Sequence, residues 1–389
     1  MTDSAPRSHS ARPSAIAWPT GVSRPRFGVW APVWGPFATR HYPGDPFDAS
    51  WDLNRRYVIE AERLGFDATL VAQHNLNPNG DDLDHLEAWT GAAALAAVTE
   101  RIEIIAAIKP YLFHPVFLAK MASQIAEISG GRFAINLVNA WYKPELERAG
   151  VEFADHDERY AYGTEWLSVV TRLLAGERVR HEGRYFRISD YVLRPADPAH
   201  TPRVYLGGES APARDLAASS ADAWFINGQP LDVVAGLISD VRGRPRERQP
   251  LDFGLSAFVI ARETEAQALA ELDRFWKLTE ADAPDLANLV ANADPNAVMF
   301  HTFERYPHIG TNGGTAAGLV GSYDQVAQRI LEFGDLGIEL FMLQFQPAET
   351  EMARFARHVL PRVAAAIGAS PARSPELVAA ATGTATDEV

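Results

Sequence analysis

Short apolar runs alternate with longer, partly polar segments through most of this chain. The runs are rich in β-branched and aromatic residues and carry few charges, which is typical of strands buried on both faces of a parallel sheet. Eight such runs follow one another at the spacing of βα units. The predicted strands are Arg26–Val33, Phe66–Ala72, Ile102–Ile108, Arg132–Val138, Arg203–Leu206, Ala223–Ile226, Phe253–Ile260 and Glu339–Gln344. The pattern predicts an α/β fold, a TIM (β/α)8 barrel with insertions.

The segments between these runs carry helix start and stop signals. Gly65 follows a helical stretch that ends near Leu64, and glycine readily adopts the left-handed conformation that closes a helix. Another helix begins near His114-Pro115, because proline suits a first helical turn, and it ends at Ser129-Gly130-Gly131. The remaining predicted helices are Leu83–Val98, Asp157–Ala175, Ala211–Ser219, Leu231–Arg242, Glu263–Trp276, Tyr323–Phe333 and Thr350–Ile367.

Two insertions interrupt the repeat. Residues His181–Pro198 alternate aromatic and polar side chains, which predicts a surface hairpin rather than a barrel strand. Residues 281–319 are rich in Asn, Pro, Gly and His, and we predict an irregular, mobile lid there, after the seventh helix. The compositions of residues 1–25 and 368–389 predict a disordered extension and a disordered tail, so the barrel domain is expected to span 26–367.

Charge and composition narrow the class of function. The formal net charge is −14, which disfavours binding to nucleic acid or to an anionic membrane surface and favours a small-molecule ligand. The chain has no cysteine, so redox chemistry would need a borrowed cofactor. No apolar run is long enough to cross a membrane and no secretory signal is recognisable, which predicts a cytoplasmic protein.

Polar and aromatic residues follow nearly every predicted strand, at the end where barrels of this type build their active sites. These residues are Trp34, Gln73, His74, Lys109, Asn136, Asn139, Trp141, Gly207, Gly208, Ser210, Asn227 and Gln344. Trp30, Trp34 and Trp141 are candidates for the walls of an apolar pocket. The sequence contains neither an H-E-x-x-H nor a G-x-S-x-G motif, so we predict no metal site and no serine nucleophile.

Two segments resemble a known family. The segment that begins at Ile128 carries Asn-Leu-Val-x-x-Trp, then Pro-Glu, then His-Asp-Glu-Arg-Tyr, and Gly318–Phe345 reads GLVGSYDQVAQRILEFGDLGIELFMLQF. Both resemble the two-component flavin-dependent monooxygenases of the bacterial-luciferase superfamily, and within it the dimethylsulfone, alkanesulfonate and RutA-type pyrimidine monooxygenases. The resemblance extends over about Phe27–Val363.

The resemblance implies a set of residues that line FMN. They are Gln73, His74, Asn136, Glu145, Arg159, Tyr160 and Ser210. Arg159 and Ser210, with the amides of the turn Gly207–Ser210, suit the ribityl phosphate through charge and the dipole at a helix start. Asn136 suits the edge of the isoalloxazine ring, and Glu145 suits hydroxyl groups or a neighbouring base. Ordinary capping of a strand end and a loop would also explain Asn136 and Glu145.

The catalytic candidate is His74, because similar proteins place a basic side chain at the corresponding position. The resemblance implies that reduced FMN and O₂ form a flavin peroxide, which needs a dry site and a hydrogen-bond donor. A histidine supplies such a donor and also relays protons near neutral pH. A structural role for His74 is the alternative. The resemblance further implies a cis peptide bond between Ala106 and Ala107.

The resemblance implies an FMNH₂-dependent monooxygenase that acts on a small molecule with O₂. A separate NAD(P)H-dependent flavin reductase would supply FMNH₂, since the sequence has no dinucleotide-binding fingerprint, and a homodimer or homotetramer is implied. Alkanesulfonate enzymes place Arg and His in the seventh strand, where this chain has Ser256 and Phe258. A neutral, sulfone-type organosulfur substrate is therefore favoured, with C–S cleavage to a sulfinate and an aldehyde.

Three alternatives stay open at this point. One is an alkanesulfonate monooxygenase. Another is a deazaflavin F420-dependent oxidoreductase on the same fold, which would transfer hydride without O₂. The third is a barrel without redox chemistry, either a hydrolase or a ligand-binding protein. Oxygen consumption with FMNH₂ and binding of reduced flavin would separate these alternatives.

Overall fold

Eight parallel strands close into a barrel, with helices packed around the outside. The computed structural model describes residues 18–19 and 23–369. The strands are β1 (Arg26–Trp30), β2 (Ala68–Val71), β3 (Glu103–Ile108), β4 (Phe133–Val138), β5 (Arg178–Glu182), β6 (Arg187–Val192), β7 (Arg203–Gly207), β8 (Ala223–Ile226), β9 (Asp252–Phe258), β10 (Ile260–Arg262), β11 (Val320–Ser322) and β12 (Ile338–Gln344). The barrel order is β1-β2-β3-β4-β7-β8-β9-β12, closed by pairing of β12 with β1. The predicted TIM barrel is confirmed.

The predicted helices follow the barrel strands in the expected order, and the structure adds three that were not predicted, at Lys143–Glu147, Ala283–Ala291 and Val298–Arg305. The helices are α1 (Trp51–Leu64), α2 (Ala88–Val98), α3 (Pro115–Ser129), α4 (Lys143–Glu147), α5 (His156–Leu174), α6 (Ala211–Ser220), α7 (Leu231–Arg242), α8 (Glu265–Thr279), α9 (Ala283–Ala291), α10 (Val298–Arg305), α11 (Tyr323–Leu336), α12 (Ala348–His358) and α13 (Leu360–Ala369). Gly65 and Gly130 close α1 and α3 in the left-handed conformation, as predicted. Among the residues that the structure describes, no helix is long and apolar enough to cross a membrane.

The barrel has two hydrophobic layers. Side chains that point outward from the strands pack against the helices and form the main core. Inside the barrel a smaller cluster fills the lumen, and it includes Leu70, Tyr205, Phe225 and Met342. Gly28 makes room for this cluster, since a Cβ there would lie 2.7 Å from Met342 Cε. The lumen is therefore filled, and ligands are confined to the ends of the barrel.

Residues 281–319 differ from the prediction. They contain α9, α10 and a short 3₁₀ turn, so an irregular loop throughout was wrong. The Asn, Pro and Gly residues that suggested a loop are concentrated between and after the two helices. Residues Ala283–Ala291 themselves have an apolar face and a proline in the first turn. We call residues 281–319 the lid segment.

Three further expectations meet the structure. The predicted hairpin is present as antiparallel β5 and β6. The predicted closing helix is instead two helices that meet at Val359, because Pro361 has no N–H group to continue α12. The expected cis bond between Ala106 and Ala107 is wrong, since the cis bonds of the described residues precede Pro195 and Pro347. The predicted disordered ends lie almost wholly outside the described residues.

Candidate active site

A cavity opens at the mouth of the barrel, at the C-terminal ends of the strands. We call it the mouth cavity, and its walls include Asn136, Asn139, Arg159, Tyr160 and Ser210. Four of the residues that the resemblance assigned to FMN therefore line one space, although they come from β4, α5 and the start of α6. The strand ends bring them together, as the barrel architecture requires.

A second cavity lies beside the first. We call it the inner cavity, and its walls include Trp34, Gln73, His74 and Lys109. The two cavities have seven wall residues in common: Trp30, Leu70, Asn136, Val138, Trp141, Met299 and Asn312. They are therefore adjacent, and a ligand in the mouth cavity lies next to the side chain of His74.

Several polar atoms in the wall of the mouth cavity are buried without a hydrogen-bond partner of good geometry. They are Asn136 Oδ1, Asn139 Oδ1 and Nδ2, Arg159 Nε and Ser210 Oγ. A buried polar atom without a partner costs about 1–3 kcal/mol, so such atoms are rarely clustered unless something binds to them. The wall is complementary to a ligand with many donors and acceptors, and FMN has these on its ring, its ribityl chain and its phosphate.

The start of α6 suits the phosphate of such a ligand. Ser210 is the N-cap residue, yet its hydroxyl does not accept a hydrogen bond from the first turn. The free N–H groups of a helix start attract anions. Gly208 precedes this turn with φ +118°, and a Cβ at Gly208 would lie 3.1 Å from Tyr160 Oη. The turn therefore leaves open space where a larger residue would crowd the tyrosine.

Arg159 is buried at the same end of the barrel, but its charge is already paired. Its guanidinium donates to the Ala154 carbonyl at 2.5 Å and to the carboxylate of Asp294, and it lies 4.1 Å from the centre of the Phe153 ring. Asp294 belongs to the lid segment, between α9 and α10. A phosphate bound at Arg159 would share the guanidinium with Asp294 or displace that carboxylate.

A buried polar cluster supports the inner cavity. Lys109 Nζ donates to Glu145 Oε2 and lies 3.0 Å from His74 Nδ1, while Glu145 Oε1 accepts from the Asn75 amide. The imidazole stacks on Trp34 with ring centres 5.5 Å apart, and it meets the edge of Trp141 at 5.4 Å. The His74 ring is thus positioned by the ammonium of Lys109 at Nδ1 and by packing against the indoles of Trp34 and Trp141.

Burial sets the charge state of this cluster. Burial and the neighbouring ammonium of Lys109 lower the pKa of His74 to about 4, so the ring is neutral near pH 7. Burial alone would raise the pKa of Glu145, but Lys109 and His74 outweigh it and hold that pKa at about 2. Because an ammonium can only donate, Nδ1 of His74 must accept, and the ring proton resides on Nε2.

Comparison with known proteins connects this geometry to a family. The family model described as luciferase-like monooxygenase matches residues 26–340, which include both cavities and the His74 cluster. The chain belongs to the luciferase-like monooxygenase family. The resemblance predicted from the two sequence segments is confirmed.

Two relatives and one structure illustrate the similarity of this luciferase-like monooxygenase to characterised proteins. It is 32% identical over 339 residues to the FMNH₂-dependent dimethylsulfone monooxygenase of Pseudomonas putida, covering 81% of this chain and 89% of the relative. It is 30% identical over 320 residues to the enzyme of the same description in Pseudomonas fluorescens (strain Pf0-1), covering 80% and 87%. The crystal structure of DmoA from Hyphomicrobium sulfonivorans shares the fold, with a TM-score of 0.73, 18% identity and 91% coverage of each chain.

The structure places some predicted residues of this luciferase-like monooxygenase away from the cavity walls. The Glu145 carboxylate lies behind Lys109 and His74, and Glu145 is absent from the walls of both cavities, so the geometry favours a supporting role. Gln73 lines the inner cavity, where its Oε1 accepts from the Lys109 amide at 2.7 Å. Ser256 lines the mouth cavity, whereas Phe258 belongs to an apolar cluster with Trp34.

Sequence reasoning missed two carboxylates of this luciferase-like monooxygenase. One is Asp294, the partner of Arg159. The other is Glu209, a wall residue of the mouth cavity whose oxygens accept from the Asn227 amide at 2.6 Å and from Gln229 Nε2 at 3.0 and 3.1 Å. Burial raises the pKa of Glu209 to about 7. No local pattern distinguishes either residue from a surface acid.

The pKa of Glu209 has a consequence for stability. Since its folded pKa lies above the ordinary value of 4.5, the folded state binds a proton that the unfolded state has released between pH 4.5 and about 7. The free energy of unfolding therefore falls as pH rises through this window, by up to about 3 kcal/mol from this group. We expect Glu209→Gln to remove that slope in urea unfolding from pH 4.5 to 7.5. Equal slopes for variant and wild type would contradict the assignment.

Proposed function

We propose that this protein is a two-component monooxygenase that receives reduced FMN from a separate NAD(P)H-dependent flavin reductase. The predicted enzyme class and the predicted cofactor agree with the family and with two relatives named as FMNH₂-dependent enzymes. The observation that carries the proposal is the set of buried, unpartnered polar atoms in the mouth cavity, next to His74. A homodimer or homotetramer in the cytoplasm stays a prediction.

In this proposal, different residues of the mouth cavity bind different parts of FMN. Arg159, Ser210 and the start of α6 hold the phosphate, because they offer a positive charge, a hydroxyl group and free N–H groups. Asn136, whose Oδ1 lacks a partner, and Asn139, whose two amide atoms lack partners, bind the polar parts of the ring and the ribityl chain. Bound in reduced form, FMN supplies the activation of O₂.

His74 is the proposed catalytic residue. The contact of Lys109 with Nδ1 keeps the ring proton on Nε2, so the neutral ring offers one donor to negative charge that develops in the inner cavity. Trp34 and Trp141 cover the imidazole and line the inner cavity, and they exclude water from it. Glu145 and Lys109 are positioning residues, since they act on the reaction through His74.

The proposed substrate is a small neutral sulfone. Two relatives are named for dimethylsulfone, and the wall near β9 carries the uncharged Ser256 rather than a cation that would bind a sulfonate. On a methyl sulfone, O₂ and two electrons from reduced FMN give a sulfinate, formaldehyde and water. One oxygen atom enters formaldehyde as the C–S bond breaks, and the other leaves as water.

A coupled assay tests the proposal. Purified protein, FMN, NADH and a flavin reductase are mixed with dimethylsulfone, and O₂ uptake, formaldehyde and methanesulfinate are measured. We expect the products to form in equal amounts and only when the protein is present. Faster turnover of an alkanesulfonate would contradict the substrate, and failure to bind reduced FMN in an anaerobic titration would contradict the cofactor site.

Arg159 provides a specific prediction. We expect Arg159→Met to weaken the binding of FMN by about 10- to 100-fold, because a charge-assisted pair contributes about 1.5–3 kcal/mol. Riboflavin lacks the phosphate, so its dissociation constant should change by less than about threefold. Fluorescence titration measures both values. Arg172→Met, a change at a half-buried residue on the same helix outside the mouth cavity, is the control and should alter neither constant.

A further inference from the structure

A third cavity adjoins the first two and has no role in the function proposed above. It lies between the loop that follows β1 and the lid segment, and we call it the vestibule. Its apolar walls include Phe37, Trp276, Leu286, Phe300, Phe303 and Ile309. It occupies about 420 Å³, against about 120 Å³ for the inner cavity. A molecule as small as dimethylsulfone, bound beside His74, would leave this cavity empty.

The vestibule leads to the reaction site. Five residues line both the vestibule and the inner cavity: Asn79, Leu289, Met299, Thr311 and Asn312. Met299 and Asn312 also line the mouth cavity. Most of these residues belong to the lid segment, so the lid borders both the vestibule and the space beside His74. A substrate whose reacting group lies next to His74 can therefore extend into the vestibule.

The charges around the vestibule restrict what it accepts. Its charged wall residues are Glu280, Asp282, Asp285 and Arg40, which gives three carboxylates to one guanidinium and a net charge of minus two. Arg40 is already paired, with Asp285 directly and with Asp282 at 3.7 Å. No free cation in this wall is available for a sulfonate or a carboxylate, and the excess negative charge repels both.

We infer that the vestibule binds an apolar tail of the substrate, and that the preferred substrate is a neutral sulfone with an alkyl or aryl substituent larger than methyl. This inference rests on the proposed function for the identity of the reacting group. The apolar walls supply the affinity, because each methylene buried against them leaves water. The carboxylates exclude an anionic tail.

A chain-length series tests the inference. Methyl alkyl sulfones from dimethylsulfone to methyl octyl sulfone are compared in the coupled assay. We expect kcat/KM to rise about threefold to fourfold for each added methylene until the tail fills the vestibule. Values that stay flat or fall with chain length, with dimethylsulfone still turned over, would overturn the inference and leave the proposed function intact.

Measuring sulfone binding to the flavin-free protein tests the vestibule separately from the proposed oxygenation of sulfones. Calorimetry of methyl octyl sulfone with the flavin-free protein should give tighter binding than dimethylsulfone. The sulfonate 8-(methylsulfonyl)octane-1-sulfonate, which carries its anion at the far end of the tail, should bind at least about tenfold more weakly than methyl octyl sulfone. Chain-length-dependent binding without any turnover would support the vestibule and contradict sulfone oxygenation. Equal binding of sulfone and sulfonate would contradict the role of the carboxylates.

A pair of variants on α9 locates the effect. Leu286 lines the vestibule, whereas Val290, on the same helix and exposed to a similar degree, lines none of the three cavities. We expect Leu286→Trp to lower the ratio of kcat/KM for methyl octyl sulfone over dimethylsulfone by about tenfold or more, because the indole fills the space for the tail. Val290→Trp should leave the ratio within twofold of wild type. Equal ratios in all three proteins would overturn the inference.

Discussion

Replacing His74 with alanine is expected to lower kcat/KM for sulfone oxygenation by about 10³-fold, while reduced FMN still binds within a few-fold of wild type. Loss of a positioned donor or acid typically costs 10²- to 10⁴-fold. Glutamine places an amide N–H near the position of Nε2, whereas asparagine places one near Nδ1. His74→Gln should therefore recover at least about tenfold over His74→Ala, and His74→Asn should not. Steady-state kinetics with equal FMN occupancy measures these ratios.

The pH dependence provides a second readout for His74. With its pKa lowered to about 4, the ring stays neutral from pH 8 down to about pH 5, and kcat/KM should show no titration of this group there. As pH falls toward 4, protonation of Nδ1 opposes the ammonium of Lys109, and activity should decline. If His74→Asn recovered as much kcat/KM as His74→Gln, a neutral donor at Nε2 would be contradicted. A loss of activity centred near pH 6.5 would contradict it as well.

Replacing Lys109 with methionine is expected to lower the free energy of unfolding by about 3–5 kcal/mol. The change leaves the carboxylate of Glu145 buried without its cation, and such a group costs several kcal/mol. Lys109→Met with Glu145→Gln should recover part of the loss, since no charge then remains in the cluster. Urea unfolding of the single and double variants measures both effects.

A matched change on the surface controls for the loss of a lysine. Lys277 pairs with Asp273 at 2.6 Å, and both side chains are exposed. Lys277→Met should therefore change the free energy of unfolding far less than Lys109→Met does. Because the pKa of Glu145 is lowered from 4.5 to about 2, the stability from its pair is present above pH 4.5 and is lost as pH falls toward 2. The difference in the free energy of unfolding between wild type and Lys109→Met should therefore become smaller as pH falls from 4.5 toward 2.

The positions of the strands and of most helices were predictable because they follow from local sequence. An apolar run bounded by turns predicts a buried strand wherever it occurs, and Gly65 and Gly130 close helices by their own conformational freedom. The lid segment was mispredicted because its turn residues obscured two short helices, α9 and α10, which have few buried residues. Sequence periodicity detects such short helices poorly.

The sequence by itself determined that this chain forms a parallel barrel, and its resemblance to the family assigned Asn136, Arg159, Tyr160 and Ser210 to one ligand. The structure brings these four residues together in the mouth cavity. Strand ends meet at one edge of a barrel, so their order along the chain suffices to predict a shared site.

Only the tertiary structure decided the partners of the charged residues. Arg159 pairs with Asp294, 135 residues away, and Lys109 joins Glu145, 36 residues away, beside His74. A loop carries Asp294 and the short helix α4 carries Glu145 to these places, and no local pattern records where such a segment meets the barrel. The charge state of His74, the unpartnered atoms of the mouth cavity and the apolar vestibule all depend on burial. Burial is a property of the packed molecule, because it depends on which distant segments cover a side chain.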